Sequence, residues 1–200
     1  MNANKLMDWA GPVAAVLWLL AVFGFGARLE GYDQLRHPVS LLGARGVPGG
    51  TAFSLLGFVI PGLLAAVAAL GLVLRMPAHA SRPLRVSAQM LLLAGIAFAA
   101  MGLLPLDVED IENRASQFHA SAWLLWLVAF SAGAVALRLG AMKDSAWRPL
   151  ASLTLGCAIW CLCSAFLFEI VMPVAMAQRL AFLGWLVWLL GAARVAPARG

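Results

Sequence analysis

Six runs of apolar residues divide the chain, each about the 20 residues an α-helix needs to cross roughly 30 Å of hydrocarbon. They cover residues 9–27, 51–74, 86–105, 118–137, 150–172 and 180–195. A bilayer offers no water to unpaired backbone groups, so continuous runs of this length span as helices. The short alternating segments of a β-barrel are missing. With 63% hydrophobic and 12% charged residues in 200, the chain has more apolar surface than a soluble core of that size can hide. The expected fold is an all-α membrane protein. Residues 1–200 form one domain, a compact bundle of six transmembrane helices.

The net charge of +5 raises the question of nucleic acid. The basic residues are spread over the ends of the apolar runs, without the clustering that phosphate tracking requires, so nucleic acid is not an expected partner. They read instead as topology signals. With both termini on one side, that side carries nine of the 14 Lys and Arg, from Lys5 through Arg75, Arg82, Arg85, Arg138, Lys143, Arg148 and Arg194 to Arg199. The other side carries Arg28, Arg36, Arg45, Arg114 and Arg179. The favoured topology is a multi-pass protein of the cytoplasmic (inner) membrane with both termini cytoplasmic and an uncleaved first helix. Seven of the nine acids lie on the opposite, outer side, so chemistry is expected there.

Residues 32–46 form a polar, turn-rich island in the first outer loop, with Asp33, Arg36, His37, Ser40 and Arg45. Pro38 suits the first turn of a short helix and Gly43 can close it in a left-handed conformation. With Val39, Leu41 and Leu42, the island is expected to be a re-entrant or interfacial segment. A second cluster, Gly102-Leu103-Leu104-Pro105-Leu106-Asp107, ends the third run, and His119 opens the fourth. Their spacing allows an Asp107–His119 hydrogen bond that would orient the imidazole. Glu169 sits among apolar neighbours, where a charge costs roughly 2.5–3.5 kcal/mol at a helix centre. It is expected to face the bundle interior, paired with Arg179 or Arg36. Ser40 at a turn, Asp107 at a helix end and a Glu169 ion pair are equally open to purely structural readings.

Other features read as packing or anchoring. Cys157 and Cys161, one turn apart, are expected to be small apolar fillers. Gly95 with Ala99, and Ala129 with Gly133, are spacings that let helices approach closely. Tryptophans near helix ends, Trp9, Trp147, Trp185 and Trp188 among them, read as interfacial anchors. His37 and His119 with Asp107 or Glu169 are a weak alternative as metal ligands, so the expected metal is none and any cofactor is unknown.

These motifs resemble those of small prokaryotic multi-spanning proteins of the "domain of unknown function 998" family, from end to end of the chain. That family has a Pro-x-Ser-x-Leu-Gly-Ala type motif in its first outer loop, matched by residues 38–44. It has a Gly-x-x-Pro-x-Asp motif ending the third helix, matched by Gly102 through Asp107, and a following His, matched by His119. Gln178-Arg179 stands where the family has a polar-Arg pair, with Gln in place of the usual acid. The resemblance implies six helices and an outward polar site, and brings no activity with it.

Three functional classes stay open. In an enzyme, a membrane-embedded serine hydrolase or transferase, Ser40 would be the nucleophile, His119 its base and Asp107 the orienting acid. Arg36, Arg45 or Arg179 would hold a lipid phosphate. In a binding or transport protein, Arg36, His37, Glu169 and Arg179 would serve a lipid, a small solute or a proton. In an accessory protein the same groups would form a recognition surface. Expected partners are membrane lipids, and a homodimer or a membrane partner protein.

Overall fold

The computed structural model describes residues 3–110 and 112–197. Among them six helices are long and apolar enough to cross a membrane. They are α1 (Ala3–Arg28), α2 (Gly50–Val73), α3 (Arg82–Leu103), α4 (Arg114–Ala141), α5 (Arg148–Phe166) and α6 (Val174–Val195). Each helix packs on its neighbour in sequence, and α6 returns to α1, so the bundle closes as a ring. An even number of spans leaves both described chain ends at one end of the ring. The connections 29–49, 104–113 and 167–173 gather at the other, here called the distal end.

Large rings from four of the helices fill the centre: Phe98 of α3, Trp126 and Phe130 of α4, and Trp185 and Trp188 of α6 are all buried, with Trp18 of α1 beside them. Trp185 stacks on Trp188 at 4.9 Å between centroids and meets Phe130 edge-on at 5.0 Å. Trp147, Trp185 and Trp188 are therefore core residues, correcting their reading as interfacial anchors. Lipid is the outward solvent, so apolar character on a helix cannot separate its core face from its membrane face. Leu20, Phe23, Leu63 and Ile96 supply that exposed apolar surface.

Small residues set the closest helix contacts. A Cβ on Gly62 would strike Ala99 of α3, and one on Gly95 would lie 2.6 Å from the Ala66 nitrogen of α2. Gly95 and Ala99 are thus the close-approach pair their spacing predicts. Cys161 is fully buried, and its thiol donates to the Ala181 carbonyl at 3.1 Å, a filler tying α5 to α6.

Two boundaries next to the site differ from the apolar runs, and one helix is irregular within. The fifth run extends to 172, but α5 stops at Phe166, where the chain tightens into a 3-10 turn, Phe168–Ile170, ahead of Pro173. The sixth run starts at 180, but α6 starts at Val174, because its first turns carry the polar pair Gln178-Arg179. Within α2, Ser54–Val59 is a π-helical segment: the Ile60 N–H reaches the Leu55 carbonyl just before Pro61, which has no N–H to continue the ladder.

Candidate functional site

The polar island folds back onto the distal end. Val39–Gly43 is one 3-10 helix preceded by Pro38, and Val39, Leu42 and Ala44 are buried, so the segment dips into the bundle as expected. Gly43 is not left-handed; positive φ occurs at Gly31, Gly46 and Gly49. Glycine is needed at 43 for space instead. A Cβ there would lie 2.6 Å from the Ser54 hydroxyl oxygen, which donates to the Gly43 carbonyl at 3.1 Å. Gly102 approaches the same residue from the other side, its ideal Cβ 2.5 Å from the Ser54 carbonyl oxygen. The two glycine motifs thus converge on Ser54, at the start of the π segment. The Arg45 N–H donates to the Leu106 carbonyl at 2.8 Å and stitches the loops together.

Arg179 holds the other half of the island. Its Nη1 donates to the carbonyls of His37 (2.8 Å) and Ala175 (3.0 Å). Its Nη2 donates to the Tyr32 hydroxyl (2.7 Å) and Gln34 Oε1 (2.8 Å). Burial pushes the Tyr32 phenol above its ordinary value, with Arg179 pulling the other way. This corrects the expected pairing with Glu169: both terminal nitrogens of the guanidinium are spent on neutral acceptors, its buried Nε makes no hydrogen bond among the described residues, and Glu169 is exposed on the turn after α5 rather than inside the bundle. The apolar run around Glu169 reads as helix interior by composition, but α5 ends at Phe166, six residues before that run does. Arg36 also lies at the surface, 3.7 Å from Asp33. The His37 ring accepts the Asp33 N–H through Nδ1 at 2.9 Å. Among the described residues no three His, Cys, Asp or Glu side chains gather as metal ligands.

His119 and Asp107 do not bond to each other. His119 Nδ1 lies 3.0 Å from the Met101 carbonyl oxygen and 2.9 Å from that of Leu104, both left without intrahelical donors where α3 ends. The Asp107 carboxylate accepts the Glu109 N–H at 3.1 Å and the Asn113 side-chain amide at 2.8 Å. Asn113 in turn caps α4 by accepting the Ser116 N–H at 2.9 Å. Pro105 turns the chain away from α3, which carries Asp107 toward its own loop and leaves the imidazole to the helix end.

A cavity of about 240 Å³ opens between these elements, lined by Ser40, Phe58, Met101, Leu106, Ser116, His119, Ala120, Trp123, Gln178 and Phe182. Two of the predicted site residues, Ser40 and His119, share it. Asp107, Arg36, His37, Glu169 and Arg179 do not line it. Ser116, Gln178 and the rings of Phe58 and Phe182 were missed as site residues. Only Gln178, beside Arg179, carried any sequence signal, because the others sit in apolar or helix-start contexts that look like packing. The Ser116 hydroxyl accepts the Asp107 N–H at 3.1 Å and faces the carbonyls of Asp107 and Asp110. His119 meets the Phe58 ring edge-on at 6.3 Å.

A closed ring of membrane-length helices with a partly polar cavity at its distal end defines a multi-pass membrane protein. The family model described as a protein of unknown function (DUF998) matches residues 13–195, and the chain belongs to that family. No curated protein and no solved structure matches it.

Proposed function

We propose that this protein binds a lipid or lipid-linked ligand in the distal cavity, head group against the polar wall and hydrocarbon against the aromatic floor. The observation that carries this reading is the mixed make-up of the cavity lining. Ser40, Ser116, His119 and Gln178 stand with Phe58, Phe182 and Trp123 around one space. Pockets of this make-up, mostly apolar with a few convergent polar groups, are the usual form of a small-molecule site. Ala120 of the lining is exposed on a membrane-length helix, which supports entry from the lipid side. The Lys and Arg bias supports termini in the cytoplasm of a bacterial inner membrane and a cavity on its outer face. A C-terminal reporter active only outside the cell would overturn that orientation.

Ala120→Trp tests the binding reading, since it fills the rim without disturbing the buried rings. Native mass spectrometry of the purified protein is expected to show a retained amphiphile in the wild type and none in the variant. A wild type that retains nothing, and whose melting no added lipid shifts, sinks the proposal.

Acyl transfer through Ser40 is the second reading, favoured by one observation: Ser40 shares the cavity with His119. Two carbonyls, in place of a carboxylate, orient the imidazole; they fix its tautomer but add little stabilisation to an imidazolium. Labelling by a serine-reactive probe that Ser40→Ala removes would support catalysis. Co-purification of a partner in fixed ratio, with the cavity variants silent, would favour an accessory role.

A further inference from the structure

The hydrogen-bonding state of His119 is readable from its neighbours. Carbonyl oxygens only accept, so with Met101 and Leu104 carbonyls at 3.0 and 2.9 Å the proton resides on Nδ1. In the neutral ring Nε2 then carries a lone pair, and among the described residues it makes no hydrogen bond. Ser116 is occupied by the backbone of the 104–113 loop. The side chains of Ser40 and Gln178 make no hydrogen bonds among the described residues and add free donors and acceptors to the same wall.

The lining holds no Lys, Arg, Asp or Glu. Arg179 follows Gln178 in sequence, but its terminal nitrogens are turned into the loop, on Tyr32, Gln34, His37 and Ala175. A phosphate or carboxylate entering this cavity would give up water without meeting a permanent positive charge in the lining, a heavy penalty beside aromatic rings. A hydroxyl would find in His119, a residue of the lining, a ring nitrogen with a lone pair and no other partner among the described residues.

We infer that the cavity takes a lipid with an uncharged, hydroxyl-bearing head, of the monoacylglycerol or long-chain alcohol class, the hydroxyl donating to His119 Nε2. This rests on the cavity-binding reading above and narrows it: the same lipid bearing a phosphate is rejected.

A matched pair of probes tests it, monooleoylglycerol and oleoyl lysophosphatidic acid, which differ by the phosphate. Binding to the wild-type protein in neutral detergent is read by competition in native mass spectrometry. Monooleoylglycerol is expected to bind at least about tenfold more tightly, and capping both its hydroxyls as methyl ethers should cost roughly tenfold, the scale of one well-placed hydrogen bond. His119→Phe should abolish the difference between the free and capped glycerides. The comparison of the two glycerides on the wild type needs no variant to fold. Equal or tighter binding of lysophosphatidic acid, or no effect of the methyl ethers, overturns the neutral-head inference while the cavity still binds lipid. Retention of some other lipid, lost on Ala120→Trp, with neither probe bound does the same. If no lipid binds and Ala120→Trp changes nothing, the cavity-binding reading falls with it.

Discussion

Arg179 donates to the Tyr32 hydroxyl at 2.7 Å across 147 positions of sequence, pinning the first distal loop to the start of α6. The same guanidinium reaches Gln34 and the His37 carbonyl, so one side chain organises residues 32–37. Arg179→Lys keeps the charge but not the planar fork, and a single ammonium cannot reproduce those directions. The expected loss is roughly 2 kcal/mol. Hydrogen exchange should show it first, as faster exchange at residues 32–38 with the helices still protected. The sign of the pH dependence follows from Tyr32. Burial raises its phenol above 10.0, so the folded loop keeps its full stability below that pH and loses stability only as the pH rises above it, while the Arg179 contact itself favours the ionised phenol. A loop that loosens between pH 6 and 8 would contradict the assignment.

Gly43→Ala places a methyl 2.6 Å from the Ser54 hydroxyl oxygen and 3.2 Å from the Phe53 ring. Overpacking of this kind costs about 1–3 kcal/mol. Ser54→Ala removes one of the two obstacles at the cost of the Gly43 carbonyl's hydrogen bond. The double variant should therefore be less destabilised than the two single losses together. Additive thermal denaturation results would mean that Gly43 and Ser54 do not constrain each other.

Asp107 separates a structural loop from a catalytic triad. Its carboxylate serves Glu109 and Asn113, so Asp107→Ala should lower stability by about 1 kcal/mol through the loop and the α4 cap. Any reactivity of Ser40 toward a serine-directed probe should stay within about twofold. A drop of three or four orders of magnitude, the scale of losing a triad acid, would restore the hydrolase reading.

Glu169→Gln should be silent. The residue is exposed and outside the cavity, so stability is expected to hold within about 0.5 kcal/mol. Ligand retention should also be unchanged. Loss of proton-coupled uptake in vesicles on this one substitution would instead make Glu169 a titrating transport group.

The candidate site was legible in parts, and the parts share a reason. Ser40 and His119 stood out as polar residues next to membrane-length apolar runs, and both line the cavity. Asp107 stood out for the same reason, yet a proline turn carries it away from His119. Ser54 and Gly102 carry no sign of their contact, because it depends on α2 and α3 meeting at the π segment. Phe58 and Phe182 read as two more apolar residues among many. Exposure to lipid and burial in the core demand the same residue types here, so periodicity cannot pick out the rings that face inward.

What the sequence determined alone was the class: six helical spans and the close approach at Gly95 and Ala99. Those depend on local run length and side-chain size, which the bilayer and the backbone translate directly into structure. The tertiary structure decided which polar groups meet. His119 turned to the end of α3, Asp107 to its own loop, Arg179 to Tyr32, and Glu169 outward. Each of those choices rests on a donor finding an acceptor within about 3 Å, a distance set by helix packing and loop closure rather than by spacing along the chain.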